Sequence, residues 1–404
     1  WSNEKIKHLD ITTKSYSSVS GDGKTVAFID YKNFIVKTYK NVDDVFSQLG
    51  DSITIVDQQG VGDWGSARTV SLNYDGTVFA IGIPTDDTEG QNYGRTRIYQ
   101  LINGFWTEMG SGIGRGTDSQ KPESVSLSND GKTVAIGQYQ QGNSFKGDTR
   151  IYNWDGSDWN KIGESIIGEV STDFSGCSVS LSSNGKIVAI GARLNNGDFE
   201  YSENTGAGTV RIYEFKKNTG WTKLGDNING EGEKDWSGSS ISLNSKGNRV
   251  AVGAPFNNNA NGEYAGHVRV YEYANSTWTQ LGTDIDGEIE TGQFGGSVSL
   301  SGDGNILAAY AANSTTTNTV GAIKIYQLKN DNWSQIGADL IGESLPFGSS
   351  ISLSEDGTVL SEGSGTVHKL TIDEAKALTV SFTFSSNSIQ EGSESDVNLV
   401  ASLL

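Results

Sequence analysis

The sequence predicts an all-β fold: a seven-bladed β-propeller of four-stranded antiparallel blades, closed by the N-terminal strand. Three observations predict it. One strand–turn–strand phrase recurs seven times, no long stretch carries apolar residues at helical spacing, and the two ends of the repeat array hold complementary parts of one unit.

The chain has 404 residues, with 52 glycines and only 4 prolines, and Asn, Ser, Thr and Asp crowd the gaps between short apolar runs. That is the composition of many short strands joined by turns. Length alone suggests two or three domains, but repetition overrides it. The turn glycines are Gly23, Gly76, Gly131, Gly185, Gly247, Gly304 and Gly357, a period of 53 to 62 residues. Self-similarity at that period marks a propeller or a solenoid.

Each unit opens with an alternating strand, such as Ser178-Val179-Ser180-Leu181, Ser240-Ile241-Ser242-Leu243 or Ser297-Val298-Ser299-Leu300. Alternation at period two gives a strand two unlike faces. A tight turn follows, as at Asn184-Gly185 or Asp303-Gly304, where glycine takes positive φ readily. The second strand is more apolar (Val188-Ala189-Ile190-Gly191; Val250-Ala251-Val252-Gly253). A longer loop leads to the third, such as Val210-Arg211-Ile212-Tyr213. The fourth starts at an aromatic and ends at glycine, pairing Trp106 with Gly110, Trp159 with Gly163, Trp221 with Gly225, Trp278 with Gly282 and Trp333 with Gly337. Phe46 and Gly50 repeat it with a smaller ring.

A solenoid needs atypical capping repeats at its ends; here the ends complement each other. The seventh unit has three strands (351–353, 358–360, 366–370) and no closing aromatic strand. Trp1 stands 18 residues before Val19, just as Trp333 stands 18 before Ile351. The N-terminal segment therefore completes the last blade. Radial packing of this kind leaves only short, protected sheet edges.

Charge narrows the function. There are 30 Lys and Arg against 49 Asp and Glu, a net charge of −19. So acidic a surface repels phosphate backbones and argues against nucleic acid. Cys177 is the single cysteine, so no internal disulfide is possible. No apolar run approaches the length of a membrane span, so this segment is expected to insert in no bilayer. The first residue is Trp1, which suggests that a targeting segment has been removed or that the chain is a piece of a longer one.

At these residues the chain resembles the integrin-type FG-GAP repeats of large surface proteins. The likeness lies in the aromatic-Gly step before the first strand (Trp64-Gly65, Phe294-Gly295, Phe347-Gly348; Phe174 and Trp236 with one residue inserted). It also lies in Gly253-Ala254-Pro255 after a second strand. It covers residues 1–372 and implies an extracellular or cell-surface propeller that binds protein or glycan. The Asp-rich calcium loop of many such repeats is replaced by a short turn with too few carboxylates for six to eight oxygens. Residues 373–404 alternate differently and resemble the opening of a Calx-beta or immunoglobulin-like sandwich domain. Thirty-two residues are too few to fold alone, so a longer parent chain is expected.

The loops between second and third strands (84–94, 195–208, 255–266) are long, polar and variable, which is how a fixed scaffold acquires binding function. Tyr93, Phe199, Tyr201, Phe256 and Tyr264 are the candidate ligand contacts, since aromatics among amides suit sugar or protein surfaces. Each could instead pin its own loop. The inter-blade connections repeat Gly-Glu (Glu169, Glu231, Glu288, Glu343), with Asp63, Asp173 and Asp235 nearby. Such recurrence favours architecture, with each Glu accepting loop N–H groups. Asp284, Asp286 and Glu288 form the densest acidic group and keep calcium open as the one cofactor to consider; no other is expected. The third-strand pairs Arg97/Tyr99, Arg150/Tyr152, Arg211/Tyr213, Arg269/Tyr271 and Lys324/Tyr326 suit cation–π stacking between blades.

No catalytic arrangement emerges. His8, His267 and His368 fall at different places in the repeat, so they share no site. Cys177 takes the slot of Ser239 and Gly296, a small packing position. Gly23-Lys24-Thr25 and Gly131-Lys132-Thr133 lack the earlier glycine of a phosphate loop and precede strands. Asn275, Asn313 and Asn332 lie in N-glycan acceptor sequons. The expectation is a non-enzymatic adhesion module that meets glycan or protein at a cell or matrix surface, or other parts of its own assembly. A structural subunit of an extracellular filament is the second reading, and a propeller-type glycosidase or lyase the third. An enzyme should break the symmetry near the axis with unlike acidic, basic or His residues.

Overall fold

The computed structural model describes residues 2–8, 15–30, 35–55, 69–84, 94–114, 122–138, 145–196, 206–312, 321–341 and 350–371. The chain divides into two compact units, Trp1–Ile372 and Asp373–Leu404. The second lies outside the described residues, as does its Calx-beta-like reading.

Every regular element among the described residues is a strand, and the strands form seven antiparallel sheets. Blade 5 shows the plan. Its inner strand Ser240–Leu243 pairs with Arg249–Ala254, that with His267–Ala274, and that with the outer Thr277–Gln280. A two-residue strand, Ile285–Asp286, returns to pair with the start of the third. Second strands are buried along nearly their whole length, which is why they read as continuous apolar runs. Inner strands alternate between buried Val, Ile or Leu and half-buried Ser, matching their period-two sequence.

Blade 7 is closed by the N-terminus. Ser2–His8 pairs with Thr366–Thr371, completing the sheet of Ile351–Leu353 and Val359–Glu362. Two hydrogen-bonded rings close the circle independently. Around the inner strands, backbone N–H groups of Val19, Leu72, Leu127, Leu181, Leu243, Leu300 and Leu353 donate to a serine Oγ of the preceding blade. Those serines are Ser352, Ser18, Ser71, Ser126, Ser180, Ser242 and Ser299, at 2.9–3.0 Å. At the turn end, the backbone bonds Tyr74→Asn129, Asn129→Ser183, Ser183→Ser245, Ser245→Gly302, Gly302→Glu355 and Glu355→Gly21 pass from blade to blade. Asp22 N–H donating to Tyr74 completes that circle.

The outer-strand aromatics explain themselves in the same way. The indole N–H of Trp159, Trp221, Trp278 and Trp333 donates to a carbonyl of the preceding blade (Met109, Ile162, Leu224 and Leu281), and Trp106 reaches Leu49. Each large ring therefore fills the space between sheets while its one polar atom is satisfied. The second-strand glycines serve close approach. A Cβ on Gly137, Gly191 or Gly253 would lie 2.2, 2.1 or 2.0 Å from a carbonyl oxygen of the following blade. Blade 6 departs from the rule, with Tyr310 in that register, 1% exposed.

Candidate ligand-binding rim

Antiparallel order puts the second-to-third-strand loops and the inter-blade connections at one end of the propeller, opposite the tight turns. The rim of blades 4 and 5 is built on two buried aspartates. Asp173 accepts the N–H groups of Glu169 (2.6 Å) and Val170 (3.1 Å), the Asn195 amide (2.9 Å) and the Arg211 guanidinium (3.2 Å). Asp235 accepts Gly232 N–H at 2.8 Å and the Asn257 amide at 3.0 Å. Each aspartate thus ties an inter-blade connection to the rim loop beside it. Burial raises the Asp235 pKa, and its amide donors only partly offset this.

Aromatic side chains stand on that frame. Phe256 packs edge-on against Trp236 at 4.4 Å and against Tyr264 at 5.7 Å. The Arg193 guanidinium lies 5.4 Å from the Trp236 ring and 5.7 Å from Phe174, and Phe174 stacks on Phe145 at 5.7 Å and 9°. Six planar groups, all half-buried, follow one another along the rim of blades 3 to 5. Phe145, Phe174, Trp236 and Tyr264 hold positive φ of 48–55°. Non-glycine residues enter that region only where the surroundings enforce it. Of the five candidate contacts, Phe256 and Tyr264 therefore come together; Tyr93, Phe199 and Tyr201 lie outside the described residues. Nothing in the repeat pattern marks Arg193 or Phe145, and in sequence Phe174 and Trp236 are indistinguishable from repeat markers.

Phe294 separates from those markers. It takes the register of Ser175 and Ser237, each opposite a rim-loop glycine, and is 1% exposed in the core. Phe174 and Trp236 stand one residue earlier in their repeats.

The third-strand bases hold carboxylates. In blade 4, Arg211 meets Glu169 at 3.4 Å and Asp173 at 3.2 Å. Arg269 in blade 5 donates twice to Asp284, at 2.9 and 2.7 Å, and also contacts Glu231. In blade 6, Lys324 bridges Glu288 (3.1 Å) and Asp339 (3.0 Å). The expectation of cation–π stacking gives way, for these three, to a clamp joining each blade to the connection before it. The loop amides go to Asp173 and Asp235, and the longer Glu side chains reach the next blade's base.

Asp284, Asp286 and Glu288 are not one constellation. Asp284 faces Arg269, Glu288 faces Lys324, and Asp286 sits opposite His267 in the strand register. Burial and the Asp284 charge raise the Asp286 pKa. Burial opposes ionisation of Asp284 as well, but bonds from Arg269 and Gln280 outweigh it and hold that carboxyl below the usual range. Burial and the Arg269 charge lower the His267 pKa to about 4, so its imidazole is neutral at pH 7. The ligand atoms that do gather, within 4.8 Å of one another, belong to Glu231, His267 and Asp284.

Two polar groups break the symmetry elsewhere. At the turn end, Glu355 Oε1 accepts Asn129 Nδ2 at 2.8 Å, Ser183 Oγ at 2.9 Å and Ser245 Oγ at 2.6 Å, so a blade 7 carboxylate joins blades 3, 4 and 5. In blade 7, Glu362 is 2% exposed and lies 3.4 Å from His368. Cys177 contacts the carbonyls of Gly191 and Gly238, and burial raises its pKa, as a packing residue requires.

No known protein family matches the sequence, and no curated protein sequence does. Solved structures match the architecture. The β-propeller domain of Myceliophteria thermophila Cps50 (Swd1) aligns with a TM-score of 0.59 at 9% identity, over 92% of this chain and 100% of that one. Kuenenia stuttgartiensis hydrazine synthase aligns at 0.57 and 12%, over 91% and 98%. The RRP9 WD40 repeats align at 0.52 and 11%, over 89% and 88%. This chain is a β-propeller. At such identities the likeness speaks for fold alone, since one fold hosts many functions.

Proposed function

We propose that the chain is a non-enzymatic binding module of an extracellular or cell-surface protein, recognising glycan or protein through the rim of blades 3 to 5. The observation that carries this reading is the half-buried run Phe145–Phe174–Arg193–Trp236–Phe256–Tyr264, braced from below by Asp173 and Asp235. Half-buried aromatic rings on a rigid base contribute their open edges as contact area with little entropy left to lose on binding. The bases and carboxylates nearby engage each other in repeated clamps, an architectural arrangement with no nucleophile–base pair in it. The FG-GAP resemblance supports a surface location.

A binding screen of the full chain against glycans and matrix proteins tests the proposal. Saturable binding is expected, weakened about tenfold or more by Trp236→Ala or Tyr264→Ala, the scale of an aromatic contact residue. Binding unaffected by both substitutions, or turnover of a screened glycan, would remove this reading.

A further inference from the structure

We propose that Glu231, His267 and Asp284 form a site for one divalent transition-metal ion of the zinc class, with Arg269 as the resident counter-ion when no metal is bound. Their ligand atoms already lie within 4.8 Å of one another, against roughly 3.4 Å between ligands bonded at about 2.1 Å to one tetrahedral ion, so small side-chain movements complete the approach. An acidic pair alone would say little, because the same clamp of base and carboxylates recurs in blades 4 and 6. The imidazole is what sets blade 5 apart. His267 is 3% exposed, its Nδ1 has no hydrogen-bond partner among the described residues, and that atom lies 4.0 Å from Asp284 Oδ2. Buried polar atoms are nearly always paired, so an orphan 4.0 Å from a carboxylate oxygen requires an explanation.

Blade symmetry sharpens the point. In the strand register of His267, blade 4 carries Thr209 and blade 6 carries Ala322. The clamp holds in both without a ring, so the architecture does not call for His267. One imidazole nitrogen and two carboxylate oxygens suit zinc, cobalt or nickel. Calcium, which takes six to eight oxygens, is poorly served. Glu231 and Asp284 side chains are 52% and 31% exposed, so an ion can enter from solvent. Arg269 touches both carboxylates, and its positive charge opposes a second cation there. Metal and guanidinium therefore compete for the same oxygens.

The test is zinc titration of the EDTA-stripped full chain by calorimetry, with cobalt absorption as a report on ligand type. One ion per chain is expected, with a cobalt d–d spectrum showing nitrogen and oxygen ligands. His267→Thr, which installs the blade 4 residue, should abolish that spectrum while the near-ultraviolet circular dichroism stays native. Arg269→Gln should tighten binding by about tenfold, as removal of one adjacent like charge at partial exposure implies. Lys324→Gln in blade 6 should leave binding unchanged. Absence of zinc binding in the parent chain, equal binding by natively folded His267→Thr, or unchanged affinity in Arg269→Gln would each overturn the proposal.

Discussion

Replacing Trp278 measures how blades are held together. Its indole is 9% exposed, lies 5.1 Å from the Tyr273 ring and donates to Leu224 O of blade 4 at 2.7 Å. Gly225 of that blade lies so near that a Cβ there would be 2.7 Å from the indole Cδ1. Trp278→Ala removes ring and hydrogen bond together, and deletions of this size destabilise by about 3–5 kcal/mol. Trp278→Phe keeps most of the packing and forfeits the N–H, a loss of about 2 kcal/mol once the smaller ring is included. Unfolding entropy of about 2.1 cal/mol/K per residue gives about 0.8 kcal/mol/K for the unit Trp1–Ile372. The expected falls in Tm are then about 4–6 °C for alanine and about 2–3 °C for phenylalanine. Differential scanning calorimetry at fixed scan rate reads both. Equal falls would show that the hydrogen bond dominates and the packing argument fails. No fall in either variant would refute the inter-blade role altogether.

Arg211→Ala should destabilise by about 3–5 kcal/mol, because it leaves the fully buried Asp173 carboxylate without its cation; urea unfolding reads this, and a loss below about 1 kcal/mol would contradict it. Glu355→Ala strands Asn129, Ser183 and Ser245 at the turn end and should cost about 1–3 kcal/mol, with Glu355→Gln closer to the parent, in the same assay. Burial, with the charge of Glu362, pushes Tyr310 up to about 12, so its phenol is held neutral in the fold above the ordinary tyrosine value of about 10. That contribution is complete below about pH 10 and is lost as pH rises towards about 12, so Tyr310→Phe should flatten the alkaline fall in stability; an unchanged slope would count against it. Deleting residues 2–8 uncovers Thr366–Thr371, and hydrogen exchange should accelerate in blade 7 before any other; uniform acceleration around the ring would argue against the pairing seen here.

The propeller was legible because its signals are local and repeated. Period-two inner strands, a Gly-containing turn and an outer tryptophan each report a constraint acting within one unit. Closure was legible too, because the spacing from Trp1 to Val19 copies that from Trp333 to Ile351. What the sequence concealed were choices between side chains of like chemistry. Recurrence points to the Glu as the acceptor of loop amides, whereas the shorter Asp173 and Asp235 reach them and the longer Glu169 and Glu231 extend to the next blade's base. Phe174, Trp236 and Phe294 look equivalent as aromatics near a glycine, yet a one-residue shift turns the first two to the rim and the third to the core. Glu355 gave no warning, since its position is held by Gly, Tyr, Asn or Ser in other blades and its partners are contributed by three other turns.

Repetition and its exceptions carry different information in such a molecule. The serine ring, the indole bonds and the base–carboxylate clamps recur because each blade must solve the same packing problem, and a recurrent solution needs no ligand to account for it. His267, the aromatic run and the Arg193 guanidinium answer no problem shared by all blades. They lie at one end of the propeller in neighbouring blades. Glu231 and Trp236 even belong to one inter-blade connection, braced by Asp235. An ion drawing Glu231 away from Arg269 would act on the segment that presents Trp236. The rim of blades 4 and 5 is therefore where binding should concentrate, because there the chain departs furthest from what closing a ring of seven sheets demands.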